Sequence, residues 1–129
     1  MAKVLLVEPQ KELREMYSTL IESAGFDVAT AMDAREGQDR LHKEKITACI
    51  ISSPKQEILW FLGVVRSSHT IAISTLPILV VLEDITDNSV DYIEAGASKC
   101  LLKFPSSGEK LIEQLRSILN IPKIQTTTK

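Results

Sequence analysis

Polar chemistry in this chain stands at the ends of apolar runs. Glu8 and Pro9 follow Val4–Leu5–Leu6–Val7, and Ser52–Ser53 closes the run from Ala48 to Ile51. Leu82, Glu83 and Asp84 end the run from Ile78, and Lys103 follows Cys100–Leu101–Leu102. Apolar strands that end in charged or hydroxyl side chains carry ligand chemistry at the carboxyl edge of an open parallel sheet. Lys103 reads as half of a charged clamp. The run after the first strand, Glu8–Pro9–Gln10–Lys11, is neither the Gly-rich nor the Ser/Thr-rich loop that cradles phosphates, and no nucleophile–base pair is visible. A small α/β enzyme or flavin carrier is therefore disfavoured. His42 and His69 lie far apart without ligand spacing, so no metal site and no cofactor is expected from them.

The elements that must position these residues follow from hydrophobic periodicity. Strands are expected at Lys3–Val7, Asp27–Thr30, Ala48–Ser52, Ile78–Leu82 and Lys99–Leu102, the first, third and fourth apolar enough to be buried on both faces. Between the first two, Leu13, Met16, Tyr17, Leu20, Ile21 and Ala24 make an amphipathic helix over Gln10–Ala24, stopped by Gly25. Asp33 with Glu36, and Ser106 with Glu109, have capping-box spacing for the second and fifth helices. A fourth helix is expected over Ile85–Ala95, capped by Asp84 and closed by Gly96. The alternation βαβαβαβαβα with short connections implies a doubly wound α/β domain over residues 1–121. Residues 122–129, with Pro122 and three threonines, read as a disordered tail or linker stub.

Composition narrows the function. The chain has 129 residues, 44% hydrophobic and 25% charged, with a formal net charge of −2. That is one ordinary globular domain without the basic surface needed to grip nucleic acid or anionic membrane. No signal peptide or membrane span is visible, so a cytoplasmic protein is expected. Cys49 and Cys100 sit inside apolar runs, as buried or semi-buried thiols do.

Val4-Leu-Leu-Val-Glu-Pro, Leu13-Arg-Glu-Met, Leu20-Ile-Glu-Ser-Ala-Gly-Phe, Leu76-Pro-Ile-Leu-Val-Val and Glu94-Ala-Gly-Ala-Ser-Lys-Cys-Leu-Leu-Lys together resemble the receiver domain of two-component response regulators. The resemblance runs from Ala2 to about Leu119 and is most specific over Glu94–Lys103. It implies a CheY-like, flavodoxin-like fold: a five-stranded parallel sheet in the order 2-1-3-4-5 with helices on both faces.

Active members of that family hold Mg²⁺ with two acids after strand one and an aspartate after strand three, and the aspartate accepts a phosphoryl group. The matching positions here are Glu8, Pro9 and Ser53. Proline offers no side-chain ligand, and a serine offers a neutral hydroxyl that would give an ester in place of an acyl phosphate. The family's hydroxyl after strand four is Leu82, its aromatic switch on strand five is Cys100, and only the lysine, Lys103, is retained. With Ser53 neutral, Lys103 is expected to pair with Glu8. Phe104 separates Lys103 from Pro105, so any cis peptide bond moves to Phe104–Pro105.

The resemblance therefore implies a degenerate, non-enzymatic receiver that binds a protein partner without phosphorylation control. The alternative is a receiver still switched at Ser53 or by Mg²⁺ at Glu8. Trp60 and Val64, one turn apart on the third helix, are the candidate partner surface. In the competing reading Ile71–Ala72–Ile73 folds back over Trp60. Ser98 and Lys99 stand where the family's dimer pairing uses acids, which leaves a homodimer through another surface open.

Overall fold

The computed structural model describes residues 2–83, 87–102 and 108–120. Five strands, β1 (Lys3–Val7), β2 (Asp27–Ala31), β3 (Ala48–Ile51), β4 (Ile78–Leu82) and β5 (Lys99–Leu102), form one parallel sheet in the order β2-β1-β3-β4-β5. The order, the parallel pairing and the layering are those expected from the sequence. Alternation along β1 explains the layers. Leu5 and Val7 enter one core with Cys49, Ile51, Ile78, Val80 and Leu82, while Val4 and Leu6 enter the other with Ala48, Ile50, Leu79 and Val81.

Helices α1 (Lys11–Ser23) and α6 (Gly108–Ile118) cover the second face through Ile21, Leu111 and Leu115. The first is covered by α2 (Ala34–Lys43), α3 (Lys55–Arg66), the short α4 (Ile71–Ser74) and α5 (Ser89–Ala95). In α3 no side chain caps the N-terminus, but Ile58, Phe61, Leu62 and Val65 are buried. Full burial of one such side chain contributes about 1.5–3 kcal/mol. Four of them outweigh the missing cap, worth about 1 kcal/mol.

Local signals place most boundaries. Gly25 takes φ of +100° directly after the α1 cap, and Gly96 takes +120° at the end of α5. Asp33 caps α2 by accepting from the Glu36 backbone N–H at 2.9 Å. The reciprocal bond runs from the Met32 N–H to Glu36 Oε1 at 2.7 Å, one residue earlier than a capping box places it.

Four expectations are corrected. β2 runs one residue further, to Ala31, and β3 stops at Ile51, so Ser52 is the first residue beyond the strand. α5 begins at Ser89, because the Asn88 side chain accepts from the Val90 N–H at 3.0 Å and fixes the start there. The segment after α3 holds the extra helix α4, whose Ile73 packs against the core while Ile71 stays 76% exposed. Expectations that rest on Asp84 as a cap, the Ser106 capping box, the Phe104–Pro105 bond and the tail lie outside the described residues.

Candidate functional site

The strand order reverses at β1 and β3, and the ladder runs one residue past both strands. The Glu8 N–H donates to the Ala31 carbonyl at 3.0 Å and the Ser52 N–H to the Val7 carbonyl at 2.9 Å. These bonds set Glu8 and Ser52–Ser53 side by side at the carboxyl edge. A cleft of about 550 Å³ opens there; Glu8, Pro9, Ser53 and Leu82 all line it. Four of the positions picked from the sequence thus share one hollow. Lys103 and its expected pairing with Glu8 lie outside the described residues.

Glu8 is completely buried. Its Oε2 accepts from the Gln10 N–H at 2.9 Å, and Arg14 donates to the Glu8 and Pro9 carbonyls at 2.8 and 3.3 Å. Arg14 therefore ties the β1–α1 turn to the helix that follows. Ser53 is 9% exposed and Ser52 less, and neither hydroxyl has a hydrogen-bond partner among the described residues. Leu82 closes the cleft with an apolar wall. Cys100 is half-buried on β5, and burial, with Asp87 nearby, raises its thiol pKa.

Four residues not singled out from the sequence line or border this cleft. Lys55, at the start of α3, donates to Asp91 Oδ2 at 2.6 Å and lies 3.6 Å from Asp87 Oδ1. Tyr92, almost fully buried, donates its hydroxyl to Asp87 Oδ2 at 2.5 Å, and the Lys55 ammonium sits 5.6 Å from its ring centroid. The spacing of Asp87 and Asp91, four apart at the head of α5, was the signal that could have pointed to a cation between them.

Trp60 and Val64, the proposed partner pair, stand one turn apart on α3 and line different hollows. Trp60 is 37% exposed with the Arg35 guanidinium 5.4 Å from its ring centroid, and it lines a hollow with Asp33 and Glu57, which also line the cleft. Val64 is half-buried and lines a different hollow with His42, His69 and Ile73. Ile73 thus meets the Val64 hollow, while Ile71 and Ala72 are exposed. The solvent neighbour of Trp60 along α3 is Gly63, beside which the space is open.

No family model matches the chain. Over 123 residues it is 34% identical to a Haemophilus influenzae protein named as a homolog of the transcriptional regulatory protein CpxR. The match takes in 92% of this chain and 51% of the relative. The chain thus spans about half the length of the curated relative it matches. The chemotaxis response regulator CheY4 of Vibrio cholerae superposes with a TM-score of 0.78 at 28% identity, over 92% of this chain and 98% of that one. The chain has a response-regulator receiver domain of the CheY-like kind. An orphan response regulator of H. pylori shares the fold alone, with a TM-score of 0.78 at 19% identity over 92% and 96% of the two chains.

Receiver chemistry in the active members runs through Mg²⁺, and the donors at this receiver's cleft can be tested against that ion. Mg²⁺ demands near-octahedral oxygen ligands at short range, usually with one or two carboxylates bound directly. Here the ends of β1 and β3 present one carboxylate, Glu8, already accepting a backbone N–H, a proline, and a serine hydroxyl, while Glu83 and Asp87 line the cleft from beyond β4 and Asp87 is engaged by Lys55 and Tyr92. Among the described residues no group of three or more His, Cys, Asp or Glu is placed to hold a metal ion. The described donor set of this receiver does not fit Mg²⁺.

Proposed function

We propose that this receiver domain works in signal transduction as a protein-interaction module that neither accepts nor needs a phosphoryl group. The observation that carries the reading is Ser53: the side chain beside Glu8 at the strand-order switch point is a buried neutral hydroxyl. A carboxylate there would form a reactive acyl phosphate; a hydroxyl forms a stable ester, which does not reset by itself. Pro9 and Leu82 support the same reading, since the side chain of one cannot ligate a metal and that of the other cannot hydrogen-bond a phosphoryl oxygen.

Protein is the partner class that fits the surface. A net charge of −2 favours neither nucleic acid nor an anionic membrane, and among the described residues no helix is long and apolar enough to cross one. Trp60, partly exposed and braced by Arg35, is the side chain with which we place the contact, because a braced aromatic loses little freedom on binding.

The rival reading, a receiver switched at Ser53, draws on one observation: the Ser53 hydroxyl is unpartnered and lines the cleft. Incubating the purified domain with acetyl phosphate and Mg²⁺, then measuring intact mass, separates the two. No phosphoryl adduct is expected. An adduct, above all one that maps to Ser53, would overturn the proposal.

A further inference from the structure

Helix α3 holds α5 at both ends. At its start, Lys55 bridges Asp91 at 2.6 Å and Asp87 at 3.6 Å, and Asp87 in turn accepts from the Tyr92 hydroxyl. At its end, Arg66 donates from Nε and Nη2 to the Gly96 carbonyl at 2.9 and 2.6 Å, and from Nη1 to the Ser74 carbonyl at 3.1 Å. The two helices therefore run side by side in the same direction, with a charged tie at each terminus. Gly96 is part of the fit, because a Cβ there would stand 2.7 Å from Arg66 Cγ.

Tyr92 completes the arrangement from within. It heads the fully buried side chains in volume and belongs to the core cluster that Cys100 packs against. β5 brings a small thiol to this side of the sheet, and the aromatic bulk comes from α5. The Tyr92 ring is held by the core, its hydroxyl by Asp87 and its face by Lys55. A ring fixed at three points has little freedom to change rotamer.

We infer that α3 is a built-in clasp: Lys55 with Asp87, Asp91 and Tyr92 at one end, and Arg66 on Gly96 at the other, hold α5 in one position. The clasp rests on the reading that the cleft takes no phosphoryl group, and it supplies the regulation of that site: α5 is set by residues of the chain itself.

Amide hydrogen exchange on the full chain tests the clasp, with Lys55→Met and Tyr92→Phe as variants that keep side-chain bulk. Opening of α5 is local, and the exposed Lys55 ion pairs and the single Tyr92–Asp87 hydrogen bond each add little, so exchange over residues 89–97 is expected to speed up about threefold in each variant. Exchange in β1 and β3 is expected to stay as in the wild type. Unchanged exchange over 89–97 in both variants would overturn the clasp, as would an equal rise across the whole sheet, which would mark a general loss of stability. A wild-type sample with acetyl phosphate and Mg²⁺ keeps the two proposals apart. Slower exchange over α5 there would sink the phosphorylation-independent reading, whereas the clasp is judged on the variants alone.

Discussion

At the scale of single residues, burial separates side chains of the same type. Cys49 is fully buried and its thiol pKa is pushed far up by desolvation; Cys100 is only half-buried, and its thiol is raised by burial and Asp87. Since the thiolate is the reactive species, a thiol reagent at pH 8 is expected to label Cys100 in the native domain and to reach Cys49 only on unfolding. Peptide mapping of the labelled protein checks this, and early labelling of Cys49 would contradict its burial. Trp60 gives a second residue-scale test. Trp60→Ala removes a partly exposed ring with little core packing, so it is expected to leave the thermal midpoint nearly unchanged and to reduce partner recovery in a pull-down, and equal recovery would remove Trp60 from the interface. That Glu8, Ser53 and Leu82 stand together at the carboxyl edge was legible, because a strand end is a local feature of sequence. The Lys55, Asp87, Asp91 and Tyr92 cluster was not, since it forms only when α3 and α5 are packed on the same face.

At the scale of elements, glycines separate roles that look alike in sequence. Gly96 sits at φ of +120° with Arg66 pressed against it, so Gly96→Ala adds backbone strain and a side-chain clash. It is expected to lower the unfolding free energy by roughly 1–3 kcal/mol. Gly63 lies inside α3 with open space beside it, and Gly63→Ala is expected to raise stability by about 0.5–1 kcal/mol. Urea titration of both variants reads the contrast, and two shifts of the same sign would refute the assignment. The strands and α1 were readable because apolar period and terminal glycine agree. The head of α5 was misplaced because an Asn88 cap competes with any acid upstream, and α4 was missed because a four-residue helix has no period to detect.

At the scale of the whole molecule, the two poles of the sheet are built for different tasks. The carboxyl pole carries the cleft, with buried serine hydroxyls that contribute nothing evident to stability. The amino pole is tied by charge: Glu44 accepts from Lys3 at 3.0 Å and from Arg40 at 2.6 Å, joining the start of β1 to the end of α2. Hydrogen bonds from Arg40 and then Lys3 hold the Glu44 carboxyl below its ordinary pKa. A depressed folded-state pKa means that the unfolded chain takes up the proton first as the pH falls. The stabilisation is therefore present above the unfolded glutamate value, near about 4.3, and is lost as the pH falls through the lower folded value. Urea midpoints measured between pH 6 and pH 3 are expected to fall more steeply in the wild type than in Glu44→Gln, which has no carboxyl to titrate. The exchange pattern of α5 should be the same in both, because the tie lies at the pole away from the cleft. Parallel pH curves for the two proteins would show that the amino-pole tie carries no stability, and a change in α5 would show that the poles are coupled after all.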